Sequence, residues 1–365
     1  MSVALFVPGR LCLLGEHSDW AGGYRERFPE IAPGLCLVTG TDPGLHAEVE
    51  PMEGALEIEA WLPDGTRQGP ERFPLEPAAL DFAARSGGFF SYAAGVACEV
   101  LEHHRPGGLR IAIRADLPVG RGLSSSAAVC VLVARAFARV HDLSLSVDDE
   151  MELAYAGERR TGSVCGRMDQ ICAYGHRPSL MHFDGPTLQV EPLLPGGTIP
   201  MLVVDLRRGK DTRRILADLN ACFPDAPGAV ARGVREALGE ANRVLVQRGR
   251  AALEAGDARG LGELMREAQA FFDERIAPAS PEQLRAPGLR QVLSHPAARE
   301  LAWGGKGVGS QGDGSAQLVA RGPGERDALA QRLTAELGVR CFPVTVAPVE
   351  ETESEMPVPL PSRLG

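Results

Sequence analysis

The sequence predicts a mixed fold of strands and helices with room for two domains. Three observations carry this reading. The chain has 365 residues, well above the roughly 100–150 of the commonest single domain. Segments that alternate apolar and polar residues read as strands, and they are interspersed with stretches carrying apolar residues at helical spacing. Two apolar segments, TLQVEPLL and TIPMLVVDL at residues 187–206, place the end of the first half near residue 190.

Composition narrows the class. With 44% hydrophobic and 24% charged residues, the chain reads as a soluble globular enzyme. A net charge of −10 argues against nucleic acid or an anionic membrane as partner, and leaves room for a small anionic ligand in a locally basic pocket. No apolar run reaches the roughly 18–20 residues that a membrane span needs. The stretch MSVALFVPGR lacks the basic region and long apolar core of a signal peptide. Eight cysteines are scattered without a C-x-x-C pair, several inside apolar runs. They read as small buried hydrophobes in a reducing compartment, so a cytoplasmic protein is expected. His103 and His104, at an expected helix end, read as a solvated cap rather than zinc ligands.

Taken in order, Val3–Leu14 is strand-like and broken by Pro8-Gly9. It runs into Gly15-Glu16-His17-Ser18-Asp19-Trp20-Ala21-Gly22-Gly23. Few cores tolerate Arg10, Glu16, His17 and Asp19 within ten residues, so these line a surface or a site. Glu, His and Asp together offer directed hydrogen-bond acceptors of the kind a polyhydroxylated substrate needs. Residues 24–34 are charged and contain proline, as a loop does. Residues 45–51 and 55–62 alternate as strands, and residues 87–104 read as a helix.

Residues 109–115 (LRIAIRA) form the next strand and residues 127–140 the next helix. Between them lies LPVGRGLSSSAAV, with Gly120, Gly122, Ser124, Ser125 and Ser126. Glycines let several backbone N–H groups point one way, and the helix N-terminus adds partial positive charge. Serine hydroxyls donate to oxygens or ligate a hard cation. This is the chemistry of a phosphate cradle, although a plain strand–turn–helix with a serine cap gives the same pattern. The chain has no Walker A sequence.

Residues 146–160 read as a helix capped by Ser146. Glu158 and Asp169 then stand eleven residues apart across a Gly-punctuated turn. One carboxylate reaches a metal in this reading while the other accepts a proton from a substrate hydroxyl. Surface carboxylates give the same spacing. The basic turn RRGKDTRR at 207–214 precedes helical patterns at 228–248, 250–272 and 289–303. The glycine-rich stretch GGKGVGSQGDG (304–314) leads into a strand at 315–320, a helix at 327–337 and a final strand at 340–347.

Three of these stretches, in this order, resemble the galactokinase–homoserine kinase–mevalonate kinase–phosphomevalonate kinase (GHMP) superfamily. PGRLCLLGEHSDWAGG is similar to the galactokinase N-terminal signature, and LPVGRGLSSSAA to the phosphate loop. LRQVLSHPAARELAWGGKGVGSQGDG occupies the place of the glycine-rich third motif. CGRMDQ also resembles the segment that carries the galactokinase base, and GFFSYAAGV the helix preceding the phosphate loop. The resemblance implies a two-domain α/β fold. Residues 1–190 would be like the second domain of ribosomal protein S5, residues 191–350 ferredoxin-like, and residues 351–365 a tail.

Position by position, the resemblance implies ATP and Mg²⁺ as cofactors. Gly120, Gly122, Ser124, Ser125 and Ser126 would bind ATP, and Ser126 and Glu158 the metal. Asp169 would be the base and Arg10 would polarise the attacking hydroxyl, while Glu16, His17 and Asp19 would hold sugar hydroxyls. Arg10, in place of the lysine of mevalonate kinases, and the GEHSD and MDQ clusters point to a sugar 1-kinase. Galactose, arabinose, a uronic acid or a heptose is the expected substrate class. A mevalonate-type kinase and a catalytically silent sugar- and nucleotide-binding regulator are the alternatives. Three features depart from the family. Trp20 replaces the usual tyrosine. Residues 24–34 carry Arg25 and Arg27, which either meet an acidic sugar or are solvated loop charges. Asp313 places a carboxylate where phosphate oxygens are expected, and it would repel them unless it faces away.

Overall fold

The computed structural model describes residues 2–117 and 122–348. They form two compact units, residues 2–10 with 40–176 and residues 11–39 with 177–348. This division is not the single cut near residue 190 expected from the sequence. The stretch carrying Glu16, His17 and Asp19 belongs with the C-terminal residues. The tail at 351–365 and Gly120 lie outside the described residues.

Strand β1 (Val3–Leu14) pairs with β2 (Gly34–Met52). Strands β3 (Ala55–Trp61), β4 (Arg67–Pro74) and β5 (Gly108–Ala115) extend the sheet in the order β4-β3-β5-β2. β5 runs antiparallel to β2 and parallel to β3, with Ile111 opposite Val49 and Ile58. All three of these side chains are fully buried. β1 is continuous through Pro8-Gly9, where a break was expected. A Cβ on Gly9 would lie 2.5 Å from Leu117, 2.8 Å from Thr41 and 2.9 Å from the Leu123 carbonyl, so glycine lets the strand pass that close. β4 was not foreseen, because RQGPERFP carries too much charge, Gly and Pro to read as a strand.

Four helices complete the unit: Pro77–Arg85, Ser91–His104, Ser125–Val140 and Val147–Arg160. Ser125–Val140 is buried along most of its length, as its Ala- and Val-rich sequence requires. Val147–Arg160 starts with the expected Ser146 cap, whose side chain accepts from the Asp149 N–H while Asp149 answers the Ser146 N–H. This reciprocal cap satisfies two donors at the helix start. Ser91–His104 and Val147–Arg160 meet at Gly95 and Gly157. A Cβ on Gly95 would be 2.2 Å from the Gly157 carbonyl.

In the second unit, residues 34–38 of β2 pair with β6 (Ser179–Asp184), which pairs with β7 (Thr187–Pro192). A separate four-stranded sheet comprises β8 (Ile199–Asp205), β9 (Ala302–Gly307), β10 (Ser315–Ala320) and β11 (Arg340–Val346), all neighbours antiparallel. Its spatial order, β11-β8-β10-β9, reads 4-1-3-2 in local numbering. With helices between the first and second strands and Pro323–Leu337 between the third and fourth, this is the ferredoxin-like arrangement. Its core joins Leu202, Val204, Leu289, Val292, Leu318, Leu329 and Leu333. The helix expected to reach Trp303 ends at Leu301, and Trp303 lies in β9. Glycines explain the strand: a Cβ on Gly304 would sit 1.9 Å from the Gly262 carbonyl of helix Ala258–Arg275. Among the described residues, no helix is long and apolar enough to cross a membrane.

Candidate active site

The first unit gathers Arg10, Ser126, Glu158 and Asp169. Arg10 sits near the middle of β1 and is 4% exposed. Its backbone N–H donates to the Leu123 carbonyl at 3.0 Å, which ties the strand to the serine-rich loop. Its guanidinium forms an ion pair with Asp169, which begins the turn Asp169–Tyr174. The neighbouring Gln170 amide donates to the Glu158 carboxylate at 2.9 Å. Ser126, in the first turn of its helix, hydrogen-bonds the same carboxylate.

Glu158 is 2% exposed. Burial, and then the adjacent Asp169 charge, push its pKa up to about 7; the hydrogen bonds from Ser126 and Gln170 and the charge of Arg10 oppose this. A buried carboxylate beside another carboxylate, with a hydroxyl at hand, is a hard-oxygen donor set that fits a divalent cation. Among the described residues no group of three His, Cys, Asp or Glu side chains forms a complete metal cage. Any such ion would take its remaining ligands from elsewhere, as magnesium does with phosphates.

The serine loop is shaped for close approach. Ser124 caps the helix in the left-handed region at φ 56°, and Gly122 has φ 82°. The Ser124 hydroxyl is buried without a hydrogen-bond partner among the described residues. Ser125 opens the helix beside it.

The second unit gathers Glu16, His17 and Asp19. Glu16 is buried and ion-paired with Lys306 of β9, which is 1% exposed and also donates to the Gly307 carbonyl at 3.2 Å. Gln317, opposite Lys306 in the β10–β9 register, donates to the Cys12 carbonyl at 2.7 Å. His17, 4% exposed and left-handed at φ 69°, precedes helix Ser18–Gly23. Its Nδ1 accepts from the Trp20 indole N–H at 3.1 Å, and its ring stacks on Phe272. Burial, then the charges of Lys210 and Lys306, lower its pKa to about 3. Asp19 lies half-buried in the first turn of the helix.

Two departures find a structural account. Asp313 is turned to other work: it accepts the Leu289 N–H at 2.9 Å at the start of helix Pro287–Leu293 and pairs with Arg208 at 3.5 Å. Arg25 is occupied by Asp184 at 2.5 Å and by the Pro29 and Ile31 carbonyls, while Arg27 is exposed. Sequence reasoning missed Lys306 and Lys210. The signal was present, since these are the only lysines in a chain with 38 basic residues. Lys210 donates to the Val308 and Gln311 carbonyls, at 3.2 and 2.9 Å, and so holds the glycine-rich stretch.

The family model of the GHMP kinases N terminal domain matches residues 91–176. A galactokinase of Pyrococcus furiosus is 30% identical over 190 residues, 50% of this chain and 47% of its own length. The chain thus spans about half of that relative. A galactokinase of Roseiflexus sp. is 27% identical over 317 residues, covering 77% of this chain and 75% of that one. Among solved structures, Lactococcus lactis galactokinase complexed with galactose covers 95% of this chain and 93% of its own, with a TM-score of 0.70 at 16% identity. L. major mevalonate kinase in complex with R-mevalonate covers 95% and 96%, with a TM-score of 0.71 at 19% identity. The solved structures share the fold without separating the two kinases, whereas the two sequence relatives named above are galactokinases. Residues 91–176 thus match the GHMP kinases N terminal domain, and over longer stretches the chain is similar in sequence to galactokinases.

Proposed function

We propose that this protein is an ATP-dependent kinase that transfers the γ-phosphoryl group to a sugar hydroxyl, the anomeric one, with Asp169 as base. The observation that carries the reading is the Arg10–Asp169 ion pair beside the buried Glu158 carboxylate, which Gln170 and Ser126 hydrogen-bond. The galactokinase relatives support the choice of a sugar over mevalonate.

In this reading Asp169, oriented by Arg10, accepts the proton of the attacking hydroxyl. The O–P bond to the sugar forms as the bond to the β-phosphate oxygen breaks, and ADP leaves. Arg10 lends positive charge to the attacking oxygen, and positioning and charge placement supply most of the acceleration. Ser124 and Ser125 would hold phosphate oxygens. Ser126 and Glu158 would hold Mg²⁺, which when bound neutralises phosphate charge. Gln170 keeps the Glu158 carboxylate turned toward Ser126. Glu16, His17 and Asp19 would meet the sugar hydroxyls.

ADP release with Mg·ATP, measured across galactose, arabinose, glucuronate, galacturonate, a mannoheptose and mevalonate, tests the reading. One responding sugar is expected, with turnover falling by about 10²–10⁴-fold in Asp169→Asn, the usual worth of a general base. A response to mevalonate alone would replace the substrate class. Binding of sugar and ATP without turnover would identify a silent regulator, and unchanged turnover in Asp169→Asn would remove Asp169 as the base.

A further inference from the structure

We propose that Trp20 is a positioning residue that locks His17 in a single tautomer, so that His17 presents an Nε2–H donor to the substrate. The proposal rests on the sugar-kinase reading for the identity of the substrate, but not for the state of the imidazole.

An indole nitrogen only donates, so the imidazole nitrogen facing it at 3.1 Å must carry a lone pair. That nitrogen is Nδ1, and a neutral imidazole with a bare Nδ1 carries its proton on Nε2. Aromatic neighbours surround the pair. Phe272 stacks on the imidazole with ring centroids 6.2 Å apart and planes 23° from parallel. Trp20 is itself wedged against Phe223 at 5.1 Å and Tyr24 at 6.3 Å, both edge-on. The left-handed backbone of His17 fixes where the side chain starts. Burial, and then the charges of Lys210 and Lys306, the only two lysines of the chain, oppose a second proton on the ring. Glu16, the neighbouring carboxylate, is engaged by Lys306.

The Nε2–H that results is buried and has no hydrogen-bond partner among the described residues. A buried donor left unsatisfied is costly, and that cost is relieved when a ligand supplies an acceptor. The class of ligand follows. The group placed against His17 is an oxygen that accepts, from a hydroxyl or a carboxylate, and a protonated amine is excluded because it would set donor against donor. A tyrosine at position 20 would lack this selectivity, since a phenol both donates and accepts. The indole at this position therefore decides a tautomer as well as forming an aromatic wall.

The test is nitrogen-15 NMR of the full-length protein labelled at histidine. The chain has eight histidines, and the His17 signals are assigned by their loss in His17→Gln. The neutral Nε2–H tautomer is expected in the wild-type protein, unchanged from about pH 5 to 8. In Trp20→Phe, which keeps the ring and removes the N–H, the same signals should move to a tautomer mixture or the charged form. For the responding sugar, KM should rise about tenfold in Trp20→Phe, with a smaller change in kcat. The preference for that sugar over its analogue with an amine in place of one hydroxyl should narrow. An Nδ1–H tautomer or an imidazolium in the wild-type protein overturns the proposal, whatever Trp20→Phe does. A Trp20→Phe protein that keeps the wild-type tautomer also overturns it. If no sugar responds while the Nε2–H tautomer is found, the kinase reading fails and the role of Trp20 stands.

Discussion

Neutralising one partner of the Glu16–Lys306 ion pair should unsettle the second unit far more than neutralising both. The two side chains are 7% and 1% exposed, so water screens them little. Glu16→Gln leaves the lysine charge buried without its carboxylate, and Lys306→Met leaves the carboxylate without its lysine. Breaking a buried pair from one side costs about 3–5 kcal/mol, whereas replacing both partners with neutral groups of similar volume is often near neutral. The double variant should therefore recover most of the loss, with a coupling of roughly 3 kcal/mol or more. Hydrogen exchange of the β9 amides, which pair with β10 from Gly304 to Gly307, reads the local opening free energy. Each single variant should speed exchange there by about 10²–10³-fold, and the double variant should return to within about tenfold of the wild type. Single costs below about 1 kcal/mol, the range of an exposed pair, would refute the reasoning. So would a double variant as unstable as the worse single one.

Two further predictions concern stability. Gly9→Ala should lower the melting temperature, because its methyl would lie within 3 Å of Leu117, Thr41 and the Leu123 carbonyl. Overpacking of this kind costs about 1–3 kcal/mol; a circular-dichroism melt superimposable on the wild type would show that the loop yields freely. His17 also makes stability depend on pH. Its folded pKa of about 3 lies below the ordinary 6.5, so below pH 6.5 the unfolded chain takes up a proton that the folded one refuses. The stabilisation is complete above 6.5 and drains away as pH falls toward 3, at up to about 1.4 kcal/mol per pH unit. Urea unfolding at pH 7 and pH 5 should show a larger drop for the wild type than for His17→Gln, and equal drops would contradict the burial of a neutral imidazole.

Part of the candidate site was legible in the sequence, because charges inside apolar segments and a serine-rich run beside glycines stand out locally. Arg10, Glu16, His17 and Asp19 stood out as polar groups that cores reject, Glu158 and Asp169 only as carboxylates across a Gly-punctuated turn, and the serine-rich run as a helix start beside glycines. What escaped notice were partners from distant segments. Lys306 sat inside a run read as loop, and its pairing with Glu16 joins positions 290 residues apart. Strand β4 escaped because its composition opposes its conformation, and β9 because its glycines are there to admit a helix. The single boundary near residue 190 did not foresee that residues 11–39 cluster with the C-terminal unit.

The sequence by itself determined the residue types and their order along the chain, and with them the resemblance to GHMP kinases. Tertiary structure alone decided which charges meet and which proton sits where. It turned Asp313 onto the Leu289 N–H and Arg208, closed Glu16 on Lys306, and set the Trp20 indole against Nδ1 of His17. The physical reason is that ion pairing, desolvation and tautomer choice depend on distances of a few ångströms. Packing between residues far apart in sequence sets those distances, and no local pattern encodes them.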